Sequence, residues 1–270
     1  LNFFFFNFDF LIFMGLIDWL RLPEAKDVDL DAPSTTVQHA RIIRQKPFLR
    51  RLYVDFYTQI RNGLPADLSG KKVLELGSGG GFMKEIIPGI ITSDVIELPD
   101  VDMHFSALDM PFESGSLDAI VMMDVLHHIP DVRQFFREAS RTLKPGGKIV
   151  MVEPANTMWG RFIYRNFHHE PFIPSAKWEL DSTGPMSSAN GAIPWIVFRR
   201  DRREFEKEFP GFTINRFRAH TPFRYLLSGG VSMHQLVPSF SYPLISLQEW
   251  LLTPFHPLIG MFYYIEVVKK

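Results

Sequence analysis

The sequence predicts an α/β fold: a parallel sheet with helices on both faces. Two observations carry that prediction. Short apolar runs alternate with helical stretches between residues 47 and 154, and a glycine-rich turn closes the first of those runs. The composition agrees. In 270 residues the hydrophobic class is 46% and the charged class 22%, enough for a sizeable core in one large domain and too apolar for a chain disordered over most of its length.

Residues 1–13, rich in Phe, lack the cationic flank and small-residue cleavage site of a signal peptide. Asn2, Asn7, Asp9 and Asp18 interrupt the apolar run that a spanning helix would need. The expectation is a non-native or disordered leader read through from upstream sequence, with Met14 the start. A membrane-surface anchor and a packed apolar helix are the alternatives. With no signal and no span, a cytoplasmic location is expected. Residues 14–70 form a helical cap, in which Phe48, Leu49, Leu52, Phe56 and Tyr57 fall near helical spacing.

Residues 71–270 make the main domain. Lys71–Leu76 is a first strand, Gly89–Asp94 a second, Val101–Phe105 a third and Leu117–Met123 a fourth. A helix from Asp131 to Leu143 leads through Lys144-Pro-Gly-Gly into a fifth strand, Lys148–Glu153. Phe198–Phe209 reads as a charged helix whose interleaved acids and bases make an ordinary solvated face. Phe212–Ala219 and Met261–Val268 read as an antiparallel pair completing the sheet. The aromatic, proline-rich stretch of about 40 residues between them reads as a lid or acceptor pocket, with a dimer surface or membrane-facing patch as alternatives.

Zero cysteines exclude disulfides, Fe–S clusters and thiol nucleophiles. A net charge of −1 argues against a protein that grips nucleic-acid backbone. The chemistry is concentrated in Val73-Leu-Glu-Leu-Gly-Ser-Gly-Gly-Gly-Phe. Gly77, Gly79 and Gly81 let backbone approach a ligand at the carboxyl end of a strand, where doubly wound sheets bind theirs. Phe82 stands where a dinucleotide fingerprint needs glycine, and Gly81-Phe-Met lacks the Lys and hydroxyl of a P-loop. The ligand here is expected to be held by something other than its phosphates.

Glu75-Leu-Gly-Ser-Gly-Gly-Gly resembles the first motif of class I S-adenosylmethionine-dependent methyltransferases, of the type 11 kind. Met110-Pro-Phe-Glu-Ser-Gly-Ser-Leu-Asp, Asp124-Val-Leu-His-His-Ile-Pro-Asp and Leu143-Lys-Pro-Gly-Gly-Lys-Ile-Val-Met-Val-Glu-Pro resemble three further family segments, in order. The resemblance spans Lys71–Pro154. It implies a Rossmann-like, seven-stranded doubly wound sheet with a C-terminal lid or insert, and S-adenosyl-L-methionine as cofactor. Gly77, Ser78, Gly79 and Gly81 would approach the amino-acid portion and sulfonium, Glu75 the ammonium group. Asp94, with Glu97 as fallback, would accept both ribose hydroxyls. Ser106, Ala107 and Leu108 would meet the adenine edge, and Asp109 if the register shifts by a few residues. Asp124 and Val125 would line the site beside the methyl group.

Two departures stand out. Ser106 occupies the place of the family's usual Asp. Only 17 positions separate Asp94 from Pro111, too few for the usual crossover helix, so either that helix is a loop or the third strand is short. His128 and His127 are candidate general bases, since an imidazole suits proton removal near neutral pH. His168-His169-Glu170 is expected to shape an acceptor pocket with Tyr164 and Trp178, and no metal site is expected. The function this implies is methyl transfer to a small or medium-sized acceptor, most readily at oxygen. The alternatives are a non-catalytic scaffold and a nicotinamide-dependent oxidoreductase. The sequence leaves oligomeric state and membrane-surface association open.

Overall fold

Runs of Val, Ile, Leu and Met that are apolar on both faces make central strands, because both sides must be covered. The computed structural model describes residues 19–26, 28–168, 170–180 and 184–270. The leader expected at residues 1–13, and Met14, lie outside them. The sheet has seven strands: β1 (Val73–Leu76), β2 (Ile91–Asp94), β3 (Met103–His104), β4 (Leu117–Met123), β5 (Leu143–Pro154), β6 (Phe212–His220) and β7 (Phe262–Lys269), in the order 3-2-1-4-5-7-6. Strands β1 to β5 pair in parallel; β7 runs antiparallel between β5 and β6. The chain moves outward from β1 to β2 and β3, then returns to the other side of β1 as β4. That reversal opens a crevice beyond the carboxyl ends of β1 and β4.

The connections differ from regular strand–helix alternation. Between β1 and β2 lies only a 3-10 turn, Met83–Glu85, and no helix joins β2 to β3 or β3 to β4. Both options raised by the short spacing are realised: the crossover is a loop, and β3 is two residues long. The N-terminal side adds two helices, the second of which packs against β5. Helices α1 (Pro33–Gln45) and α2 (Pro47–Gly63) each begin at a proline, whose missing N–H costs nothing in a first turn. Along α2, Phe48, Leu49, Leu52, Phe56, Tyr57 and Ile60 are buried at helical spacing. Helix α3 (Val132–Thr142), between β4 and β5, is capped by Asp131, which accepts from Gln134 N at 2.9 Å, and buries Phe135 and Phe136.

After α4 (Met158–Phe167), the charged segment forms a π turn, Ile196–Arg200, and then α5 (Arg202–Glu208). Arg133 pairs there with Glu179, Glu204 and Glu208, a partly exposed ionic face. The insert between β6 and β7 is more helical than its composition suggests, with α6 (Arg224–Ser228) and α7 (Tyr242–Leu251). Of this insert, Tyr225, Val231 and Ser232 line the central cavity. Arg224 ties it to α2: its guanidinium donates to Asp55 Oδ2 (2.5 Å), Tyr242 Oη (2.8 Å) and Glu249 Oε2 (2.5 Å). Arg224→Ala leaves the Glu249 carboxylate buried without its cation. Denaturant melts should show a loss of about 3 kcal/mol; an unchanged midpoint would mean the insert is held by apolar contacts alone.

Candidate active site

A cavity of about 650 Å³ opens beyond β1, β2 and β4. The glycine turn forms its floor. Gly77 takes φ +64° and Gly79 φ +49°, which glycine adopts without strain. The glycines are also packing residues. A Cβ on Gly77 would lie 2.5 Å from Val125 Cγ2, and one on Gly80 would lie 2.6 Å from the backbone N of Ala40 in α1. Gly80 carries no role in the sequence motif as read, because the helix it touches is 40 residues upstream. Gly80→Ala should therefore push α1 off the turn and cost about 1–3 kcal/mol in a thermal melt, since backbone cannot give way as a side-chain tip can.

Asp94 ends β2, the strand beside β1, and clamps the turn directly. Its Oδ2 accepts from Gly79 N at 2.8 Å and its Oδ1 from Ile96 N at 2.9 Å. Each oxygen keeps a further lone pair. Asp94 lines the cavity, and Glu97 is not among the lining residues. Ser106, Ala107 and Leu108 line the opposite wall, and Asp109 does not. Leu108 N donates to Ser106 Oγ at 3.2 Å, so this backbone N–H is already engaged by the Ser106 hydroxyl.

Two acids frame the cavity's inner end. Glu75 is 3% exposed, and burial pushes its pKa up to about 7, with the neighbouring Asp94 charge adding to the rise. Asp124 follows β4 at φ +55°, a left-handed conformation uncommon for a residue with a side chain. Burial pushes its pKa up to about 7; His127 opposes the rise, and Glu153 and Glu170 reinforce it. Glu75, Asp94, Asp124 and Glu170 all line the cavity, and among its described lining residues there is no Lys or Arg.

The 3-10 turn Leu126–His128 brings two adjacent histidines together, their ring centroids 4.3 Å apart. His127 Nδ1 donates to Glu153 Oε2 at 2.8 Å, and its Nε2 lies 3.3 Å from Glu170 Oε2. Burial opposes protonation of His127, yet the two carboxylates outweigh it and hold its pKa well above the usual imidazole value. His128 Nδ1 donates to the Ser188 carbonyl at 3.1 Å, and its Nε2 lies 3.5 Å from Glu170 Oε1. Burial, then the His127 charge, lower its pKa to about 4. An imidazolium has no lone pair to offer, so of the two candidate bases His128 is the one that keeps an Nε2 lone pair, with its basicity lowered by burial. Glu170 is itself held well below the usual carboxylate range, burial being overridden by its contact with His127.

Sequence reasoning grouped Glu170 with its neighbours His168 and His169. In the fold it also meets His127 and His128, some 40 positions earlier; His169 lies outside the described residues. Glu153 was missed altogether. It is fully buried, with Oε1 accepting from Val125 N (2.9 Å) and Leu126 N (2.8 Å), and so fixes the whole 125–127 turn. The available signal was an acid closing an otherwise apolar buried strand. Tyr164 lines the cavity, its hydroxyl donating to Met261 O at 2.7 Å. Trp178 does not join the pocket: it is buried under Arg133 and donates to Asp201 Oδ2 at 2.9 Å.

Residues 74–151 match the family model for the methyltransferase domain. An O-methyltransferase of ubiquinone biosynthesis from Xanthomonas oryzae is 27% identical over 104 residues, 32% of this chain and 44% of that protein. A demethylmenaquinone methyltransferase from Bacillus mycoides is 33% identical over 69 residues, 25% of this chain and 29% of that protein. The chain thus spans less than half the length of these curated relatives. Among solved structures, geranyl diphosphate C-methyltransferase from Streptomyces coelicolor aligns over 86% of this chain and 83% of its own, at 16% identity and a TM-score of 0.48. No helix among the described residues is long and apolar enough to cross a membrane.

Proposed function

We propose, from the methyltransferase domain at residues 74–151 and the acid-lined cavity beside it, that this chain transfers the methyl group of S-adenosylmethionine to a neutral, small or medium-sized acceptor. The cavity's charge carries the reading. Four acids face it with no Lys or Arg among its described lining residues, which suits a ligand bearing an ammonium and a sulfonium. A nicotinamide dinucleotide would bring phosphate charges to the same carboxylates, with no Lys or Arg among the described lining residues to meet them and the His127 imidazolium already paired with Glu153 and Glu170.

In this reading Asp94 offers its remaining lone pairs to two ribose hydroxyls while its other contacts keep the turn in shape. Glu75 meets the ammonium group, and the backbone of Gly77, Ser78, Gly79 and Gly81 approaches the amino-acid portion. Ser106, Ala107 and Leu108 border the adenine, while Asp124 and Val125 stand beside the methyl group. When bound, the cofactor supplies an already activated methyl carbon on sulfonium sulfur. The protein's part is then to align the acceptor in line with the sulfur–carbon bond and to keep water out.

The acceptor end is bounded by Tyr53, Tyr164, Tyr225 and Phe262, with His128 and Glu170 at its wall. Burial pushes the pKa of Tyr53, Tyr164 and Tyr225 upward, so these phenols stay neutral donors. Aromatic faces and acids together favour an uncharged aromatic or polyprenyl-like alcohol over a phosphorylated or carboxylated one. Transfer to oxygen is favoured, in keeping with the O-methyltransferase named above. The cytoplasmic location expected from the sequence belongs to this reading too. Incubation with methyl-labelled S-adenosylmethionine and paired acceptors, neutral phenols against their phosphorylated counterparts, tests it. Label should pass to neutral hydroxyls and S-adenosylhomocysteine should accumulate; transfer confined to anionic acceptors would contradict the assignment.

A further inference from the structure

We infer that His127, His128 and Glu170 form a binding site for a single divalent transition-metal ion of the zinc and cobalt class, set in the wall of the cavity. The site does not depend on the methyl-transfer reading; its role in catalysis would.

Geometry points to the ion. Consecutive residues normally aim their side chains apart, yet the 126–128 turn brings the two imidazoles onto one carboxylate. Each ring is tied back at Nδ1, His127 to the fully buried Glu153 carboxylate and His128 to the Ser188 carbonyl, at 2.8 and 3.1 Å. That is the arrangement by which proteins fix the tautomer of a metal-binding histidine and direct its Nε2 at the ion. Both Nε2 atoms then face Glu170, at 3.3 Å from Oε2 and 3.5 Å from Oε1. A charge-assisted N–H···O contact would close to about 2.7–2.9 Å. Ligand atoms about 2.0–2.1 Å from a tetrahedral ion stand about 3.3 Å from one another. The observed spacings, each to its own Glu170 oxygen, are longer than the first figure and close to the second, and one donor atom from each of the three residues lies within 4.8 Å of the others.

Charge agrees with geometry. Glu153 and Glu170 both stand against His127, with Asp124 beside them and His168 Nδ1 3.7 Å from Glu170 Oε2, and there is no Lys or Arg among the described lining residues. An ion would sit at His127 Nε2, leaving its Nδ1–H on Glu153, and would bring positive charge among these carboxylates. Two imidazoles and a carboxylate are the donor set that suits zinc-like ions. Three protein ligands leave a coordination position, and all three residues line the cavity. An acceptor hydroxyl ligated there would lose its proton to solvent and become an oxyanion. Its lone pair would form the new oxygen–carbon bond as the sulfur–carbon bond breaks and sulfonium becomes neutral thioether.

The test is titration of the metal-free full chain with Co²⁺, followed by visible absorption, with Zn²⁺ as competitor. One equivalent should bind with the intense bands of a tetrahedral site and be displaced by Zn²⁺. Glu170→Gln and His128→Gln should each weaken binding about a hundredfold while still binding S-adenosylhomocysteine, which shows that they are folded. Absence of stoichiometric Co²⁺ binding by a cooperatively folded chain would overturn the site, and so would binding indifferent to both substitutions. Stoichiometric Co²⁺ with no S-adenosylhomocysteine binding would leave the metal site standing and sink the methyl-transfer reading instead.

Discussion

Asp94→Ala should lower affinity for S-adenosylhomocysteine by about a hundredfold or more in calorimetric titration. Two hydrogen bonds to a carboxylate are worth about 1.5–3 kcal/mol each, and about 2.7 kcal/mol already corresponds to a factor of a hundred. The same side chain also anchors Gly79 N and Ile96 N, so its removal loosens the turn as well as the ribose contact. Asp94→Asn separates these effects. It keeps one acceptor oxygen but sets an amide N–H₂ against a backbone donor, so affinity should fall nearly as far. Glu97→Ala is the control, because Glu97 is not among the cavity's lining residues, and its affinity should match the parent chain. Undiminished binding by both Asp94 variants would move the ribose contact elsewhere.

Glu75 should make the protein's stability and its ligand affinity respond to pH in opposite directions. Its folded pKa of about 7 lies above its ordinary value of 4.5. The folded state is therefore favoured by the neutral carboxyl. That advantage is complete below about pH 4.5 and is lost as pH rises through 7, a difference of about 3 kcal/mol. A cationic ligand prefers the ionised form. Affinity for S-adenosylmethionine should accordingly rise between pH 6 and 8, with proton release on binding. Glu75→Gln should flatten Glu75's share of the stability slope and weaken binding above pH 7. Affinity that falls across that range would mean Glu75 faces no positive charge in the complex.

Sheet and turn were legible because they obey local rules. Apolar runs such as Leu117–Met123 can only be buried strands in this setting, and the glycines announce where backbone bends back on itself. The N-terminal helices were legible by periodicity, but their duty was not. Nothing in Ala40 says that Gly80 will press on its backbone, or that α2 would pack against β5. The acceptor wall was the least legible part. Glu170 looked like a member of its own neighbourhood, and only the fold sets it opposite a histidine pair fastened by Glu153. Contacts between distant elements leave no spacing rule in the chain; they are set by which strand ends share an edge of the sheet.

The most direct measurement is parallel titration of the chain with S-adenosylmethionine, S-adenosylhomocysteine and a nicotinamide dinucleotide at pH 7.5. Binding of both S-adenosyl ligands at one site, with none for the dinucleotide, is the expected result. Dinucleotide binding at the same cavity, or no binding of any of the three by a folded chain, would contradict the account.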